Sequence, residues 1–188
     1  MANSKLNTVK KILLFSTLFV CVFASCKKNN SGSSSNYHFT ATIDGKAETF
    51  NVSPFIFKVT NSGISQIAIE GFTATTASSG EVLAISWANT GLGAASFTTG
   101  TYSDTASNYS ITGVYNPSVS QSFVGGYQST GYGSSIGVTG LNHLKLVITS
   151  LDSTAVKGTF SGDFYYNADL SGAKKSITNG DFFVPWKK

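Results

Sequence analysis

Apolar and polar residues alternate along most of this chain, and that alternation limits its fold more than any other feature. Residues 37–43 alternate strictly, and residues 144–149 place Leu144, Leu146 and Ile148 on one side. A period of two sends successive side chains to opposite faces of a β-strand. Gly, Ser and Asn interrupt these runs at short intervals, as they do at turns. The pattern predicts an all-β fold.

About ten evenly spaced runs of this kind predict an antiparallel β-sandwich of about ten strands. A small up-and-down or lipocalin-like β-barrel is the alternative. Asp44 and Gly45 predict a tight hairpin turn between the first two strands, and Pro54 is expected to break the start of the third strand. In the longest strand we expect Asp163 to face solvent, because it lies on the side opposite Phe164.

A secretory signal peptide is predicted over residues 1–25. Lys5, Lys10 and Lys11 precede an apolar run of thirteen residues, 12–24. This length falls within the roughly 7 to 15 apolar residues of a signal peptide. It is too short for a transmembrane helix, which needs about 20.

The end of that segment, residues 23–26 with the sequence Phe-Ala-Ser-Cys, resembles a bacterial lipobox. In that motif two small residues precede the cysteine, which becomes the lipid-bearing N-terminus after cleavage. Cys21 fits less well, because the bulky Val20 precedes it. The resemblance implies that Cys26 is acylated and that the chain is anchored to a membrane by lipid, each buried methylene contributing about 0.8 kcal/mol.

The chain is therefore divided into three segments. Residues 1–25 are the predicted signal peptide, residues 26–36 the lipidated Cys26 with a flexible polar tether, and residues 37–188 a single all-β domain. A body of about 150 residues buries enough surface to fold alone. Since Cys21 leaves with the signal and Cys26 is acylated, we expect neither a disulfide nor a free thiol.

Charge argues against a nucleic-acid partner. The chain has thirteen lysines, of which three lie in the signal peptide and four more at residues 27–28 and 187–188. The six that are left are outnumbered by nine acidic residues. The sequence also has no arginine, the residue best suited to grip phosphate. We expect no nucleic acid to bind.

Several motifs together resemble the small, uncharacterised outer-membrane lipoproteins of the Bacteroidota. They are the Cys-Lys-Lys start at Cys26 and residues 39–46, 156–162 and 177–182. The resemblance implies a β-domain held on the outer membrane by its lipid, and it implies no activity. Surface display in that group is associated with acidic residues after the cysteine, whereas lysines and asparagines follow Cys26 here. The periplasmic and the surface face both stay open.

Residues for metal binding or nucleophilic catalysis are few. His38 and His143 are the only histidines, and a zinc site needs three or four His, Cys or carboxylate ligands. We therefore expect no metal and no other cofactor. Neither histidine accompanies a recognisable nucleophile elbow, and both are expected to face solvent.

Four aspartates cluster late in the chain: Asp152, Asp163, Asp169 and Asp181. A glycosidase would need two such acids on either side of a cleft. Asp152 and Asp169 stand in turn-like contexts, where Asp is favoured for its local hydrogen bonds. The sequence therefore predicts no catalytic residue.

The Gly-rich and Tyr-rich stretch at residues 125–133 supplies the ligand-binding candidates, Tyr127 and Tyr132. Aromatic rings on loops can stack on the flat faces of sugars. The leading hypothesis is a lipid-anchored cell-envelope β-domain with a non-enzymatic accessory or binding role, whose partner is a glycan or an envelope protein. A β-barrel that binds a hydrophobic small ligand is the second hypothesis, and a hydrolase is the third.

Overall fold

The structure, a computed structural model, describes residues 36–61, 64–75, 80–89, 96–105, 109–126, 142–167, 169 and 171–187. These residues form eleven β-strands and no helix. The strands are β1 (His38–Ile43), β2 (Lys46–Thr49), β3 (Val52–Asn61), β4 (Ile64–Phe72), β5 (Val82–Asn89), β6 (Gly100–Ser103), β7 (Tyr109–Ser118), β8 (Gln121–Gly125), β9 (Lys145–Leu151), β10 (Ala155–Tyr166) and β11 (Lys174–Pro185). The prediction of an all-β fold is confirmed.

All eleven strands belong to one antiparallel sheet, and nine of them follow each other in the order β2, β1, β11, β10, β8, β7, β5, β4, β3. The sheet forks at β10, because residues 156–161 pair with β9 while residues 165–166 pair with β8. β9 also pairs with β6. The sheet curls strongly into a half-barrel, which is consistent with both a sandwich and a barrel.

The first hairpin forms where the sequence predicts it. Asp44 and Gly45 have φ values of 50° and 83°, as a two-residue turn of type I′ requires at both central positions. The same turn is tied to β11, because the N–H of Ser176 donates to Oδ1 of Asp44 at 2.9 Å and Nζ of Lys175 donates to Oδ2 at 2.7 Å. This aspartate therefore stabilises both the turn and its contact with the neighbouring strand.

The prediction that Pro54 breaks the start of the third strand is wrong. β3 begins at Val52, and its register with β4 shifts between Val52 and Phe55. Ser53, with a φ of 50°, lies in this irregular stretch beside Pro54. β3 is the last strand in the sheet order, and a bulge on an edge strand accommodates proline without the loss of a central ladder hydrogen bond.

Aromatic rings fill the interior of the curled sheet. The ring of Phe39 lies 5.9 Å from that of Phe50, 5.4 Å from that of Phe160 and 6.3 Å from that of Phe182, centroid to centroid. These are the separations at which aromatic pairs add to simple burial. Leu144, Leu146 and Ile148, which the sequence places on one side of their strand, are all buried, and so are Phe182 and Val184.

Phe164 shows how closely this interior is packed. A Cβ at Gly113 would lie 2.2 Å from the ring, and one at Gly125 would lie 2.4 Å from it. Real Cβ atoms do not approach so closely, so only glycine fits at either position beside this ring. The two glycines belong to β7 and β8, which lets a ring on β10 pack directly against their backbones.

Candidate functional site

Three residues predicted for lipidation or ligand binding lie outside the described residues. They are Cys26, Tyr127 and Tyr132. Their roles stay predictions, and other residues form the candidate site.

Asp152 and Asp169 stabilise turns, as the sequence predicts. Oδ1 of Asp152 accepts hydrogen bonds from the hydroxyl of Thr154 at 2.6 Å and from its N–H at 2.7 Å, and these bonds lower the pKa of the carboxyl. Oδ1 of Asp169 accepts from the hydroxyl and the N–H of Ser171 in the same way, which lowers its pKa too. Both carboxylates are occupied by local bonds that favour the ionised form.

The prediction that Asp163 faces solvent is wrong. Its side chain is only 4% exposed and accepts a hydrogen bond from Nζ of Lys174 at 2.6 Å. The backbone N–H of Asp163 donates to the carbonyl of Asn142 at 2.8 Å. Asp163 lies at the fork of the sheet, between the parts of β10 that pair with β9 and with β8, and Asn142 and Lys174 cover it there. The hydrogen bond to Asp163 raises the pKa of Lys174.

The carboxylates of Asp163 and Asp181 do not form a catalytic pair. Asp181 lies opposite Thr159 in the ladder between β10 and β11, so Asp163 is four residues further along β10, or about 13 Å at strand rise. Glycosidases place their two carboxyl groups about 5 to 9.5 Å apart. Each of these two aspartates is instead bound to a basic side chain.

His38 forms an ion pair with Asp181. Nε2 of the ring lies 2.6 Å from Oδ2 of Asp181, and Nδ1 donates to the carbonyl of Asn36 at 2.9 Å. The side chain of His38 is 32% exposed, so it is more enclosed than a solvent-facing residue. This partner, 143 residues away in sequence, could not be found from local patterns.

His143 has an aspartate beside it as well, but not in a catalytic arrangement. Its Nδ1 lies 2.9 Å from Oδ1 of Asp104, whose side chain is 9% exposed while that of His143 is 50% exposed. Oδ1 has no hydrogen bond, so this is a close contact without aligned hydrogen-bond geometry. Oδ2 accepts from the N–H of Leu144 at 3.0 Å. A catalytic triad needs a hydrogen bond from the imidazole to the aspartate, which orients the ring. His143 and Asp104 do not form one.

Two further properties of the described residues bear on the site. No group of three or more His, Cys, Asp or Glu side chains in them is placed to hold a metal ion. In the same residues, no helix is long and apolar enough to cross a membrane.

The described residues form a groove of about 500 Å³ on the outward side of β9, β10 and β11. We call it the outward groove. It owes its form to a bulge in β11, where Thr178 and Asn179 together oppose Ser161 of β10. Asn179 has a φ of 49° and the register of β11 with β1 shifts at the same place. A bulge bends the strand and redirects its side chains.

The residues that line the outward groove form two rows across the sheet. One row follows the ladder from Val147 through Thr159 to Asp181. The other runs from Lys145 through Ser161 to the bulge, where Thr178 and Asn179 are both exposed. Hydroxyl, amide, ammonium and carboxylate groups therefore line one face, a set suited to a polyhydroxylated ligand.

Sequence reasoning missed this groove, although one signal was present. Asn179 and Gly180 interrupt a run that otherwise reads as a strand, and such residues inside a strand suggest a bulge. The outward position of Thr159 and Ser161 follows from alternation. Their alignment with β9 and β11 depends on strand register, which the sequence alone does not supply.

Comparison with known proteins adds no relative to this picture. No protein-family model matches the chain, and neither curated proteins nor solved structures give a match.

Proposed function

We propose that this protein is a lipid-anchored binding domain of the cell envelope, held on the outer membrane through Cys26, and that it binds a glycan in the outward groove. The observation that carries the proposal is the set of hydroxyl and amide side chains around the bulge in β11. A sugar presents hydroxyls in several directions, and side chains that both donate and accept can pair with them. Tyr127 and Tyr132 stay candidates for a second, stacking contact.

Two observations favour binding of a polar ligand over the other hypotheses. The rings of Phe39, Phe160 and Phe182 occupy the space between the described strands where a hydrophobic ligand would lie. The late aspartates are each engaged in a turn or an ion pair, which argues for structural roles rather than hydrolysis. A non-enzymatic role accounts for both.

A glycan array probed with the full-length protein in detergent tests the proposed function. Thr159→Val and Thr178→Val keep side-chain volume and remove one hydroxyl each, so the double variant should bind at least tenfold more weakly, or about 1.4 kcal/mol. Thr60→Val, on β3, is the matched control and should bind as the wild type does. A wild-type protein that binds no glycan would contradict the proposal. Unchanged binding by the double variant would move the site to Tyr127 and Tyr132, whose replacement by Ala then becomes the deciding measurement.

Membrane fractionation tests the anchor. Cys26→Ala should leave the membrane fraction, because stable attachment depends on the acyl chains. Labelled palmitate should enter the wild type and not the variant. A variant that still sediments with membranes after a high-salt wash would show that the lipobox interpretation is wrong.

A further inference from the structure

The outward groove differs in charge from the rest of the domain. Between the tether and Trp186 the chain has six lysines and nine acidic residues. The outward side of β9, β10 and β11 instead presents Lys145, Lys157 and Asp181, while Asp163 on β10 is paired with Lys174. The local excess of positive charge lies at the groove proposed above to bind a glycan.

The charge of Asp181 is compensated within the protein. A carbonyl oxygen only accepts hydrogen bonds, so Nδ1 of His38 carries a proton toward Asn36. The separation of 2.6 Å between Nε2 and Oδ2 of Asp181 requires a second proton between those two atoms. Whichever atom holds that proton, the pair of His38 and Asp181 has no net charge.

The charge of Lys145 is not compensated in this way. Neither Lys145 nor Lys157 forms an ion pair with any residue that the structure describes. Lys145 and Asp181 are separated by two strand spacings and two residues, or about 12 Å between Cα atoms. The groove therefore offers an ammonium group that no described carboxylate pairs with.

We propose that the outward groove selects acidic glycans, whose carboxylate binds the ammonium of Lys145 while their hydroxyls bind Thr159, Ser161 and Asn179. This inference rests on the proposed glycan-binding function. A complementary charge gives selectivity between ligands of similar shape, and uronic acids differ from their methyl esters by a charge and one methyl group. Lys145 is then the residue that determines specificity.

An array of uronic-acid oligosaccharides, each printed beside its methyl ester, tests the inference with the full-length protein in detergent. The wild type should bind the acids at least tenfold more tightly than the esters. Lys145→Gln should lose this preference while it keeps its affinity for the esters. Lys58→Gln, which removes a lysine from β3, is the matched control and should keep the preference.

The outcomes separate the two proposals. Equal binding of acids and esters by the wild type would overturn the selectivity and leave glycan binding intact. A preference for acids that survives Lys145→Gln would overturn the role of Lys145. An array without any signal, neutral glycans included, would overturn the proposed function together with the inference.

Discussion

The outward sides of two regions of the same sheet have opposite characters. On β9, β10 and β11 the outward side carries hydroxyls and charged groups that are exposed or paired. On β3, β4 and β5 the rings of Phe55 and Phe57 lie 5.6 Å apart, and Ala68, which pairs with Phe57, is only 5% exposed. Alternation gives both regions an outward side, but only that of β9, β10 and β11 carries mainly polar groups.

Glu70 shows how the outward side of β3, β4 and β5 changes the pKa of an ionisable group. It lies on β4 opposite Phe55 and Ala84. Burial raises the pKa of its carboxyl to about 7, although the charge of Lys187 acts in the opposite direction. Asp152 and Asp169, exposed and hydrogen-bonded, have lowered pKa values. The same functional group is favoured as the anion in one environment and as the neutral acid in the other.

Substitutions in the interior that both regions share should lower the free energy of unfolding most. Phe164→Ala removes a fully buried ring that fills the space above Gly113 and Gly125, and we expect it to lower the free energy of unfolding by about 3 to 5 kcal/mol. Phe183→Ala, at a half-buried ring on the outward side of β11, is the control and should cost much less. Urea denaturation measures both. Equal losses would contradict the view that the interior carries most of the stability.

Glu70 should make stability depend on pH. Its pKa is raised from 4.5 to about 7 on folding, so the folded state binds more protons than the unfolded state between these values and stability falls as the pH rises through them. Glu70→Gln cannot ionise and should stabilise the protein at pH 8 by up to about 3 kcal/mol, at 1.36 kcal/mol for each pKa unit. At pH 4 the two proteins should unfold alike. A difference that is the same at both pH values would show that charge is not its cause.

The pair of His38 and Asp181, beside the outward groove, should contribute least to stability. The side chains of His38 and Asp181 are 32% and 44% exposed, and exposed pairs typically contribute about 0 to 1 kcal/mol. We expect His38→Gln and Asp181→Asn each to change the free energy of unfolding by less than about 1 kcal/mol at pH 7. Chemical denaturation of both variants measures this. A loss of several kcal/mol would contradict this and would mean that the pair is as strongly shielded from solvent as Glu70.

Local patterns in the sequence predict the fold well because each concerns one strand at a time. The inward positions of Phe39, Phe160 and Phe182 follow from period two and are confirmed by their burial. Alternation puts Asp163 on the side of β10 opposite Phe164, but the prediction that it faces solvent is wrong. Alternation says which side a residue occupies and not which segments cover that side, and here Asn142 and Lys174 cover it.

The candidate site depends on information of a different kind. The outward groove requires β9, β10 and β11 to be aligned in register, and the ion pair beside it joins β1 to β11. Neither relation has a local signature, since both arise when distant strands pair. The bulge at Asn179 and Gly180 is the exception, because its residues mark it before the strands are aligned.

The pairing of β1 with β11 also sets the order in which the molecule can be assembled. Its contacts join residues such as His38 and Asp181, which are 143 positions apart. A loop of that length must close before the contacts form, and proteins dominated by such distant pairings fold slowly, over milliseconds to seconds. Until β11 pairs with β1, the edge of β1 that β11 will cover presents unpaired N–H and C=O groups, and these can pair with a strand from another chain. The interval between synthesis of the first strand and arrival of the last is therefore the period in which this protein is most exposed to aggregation.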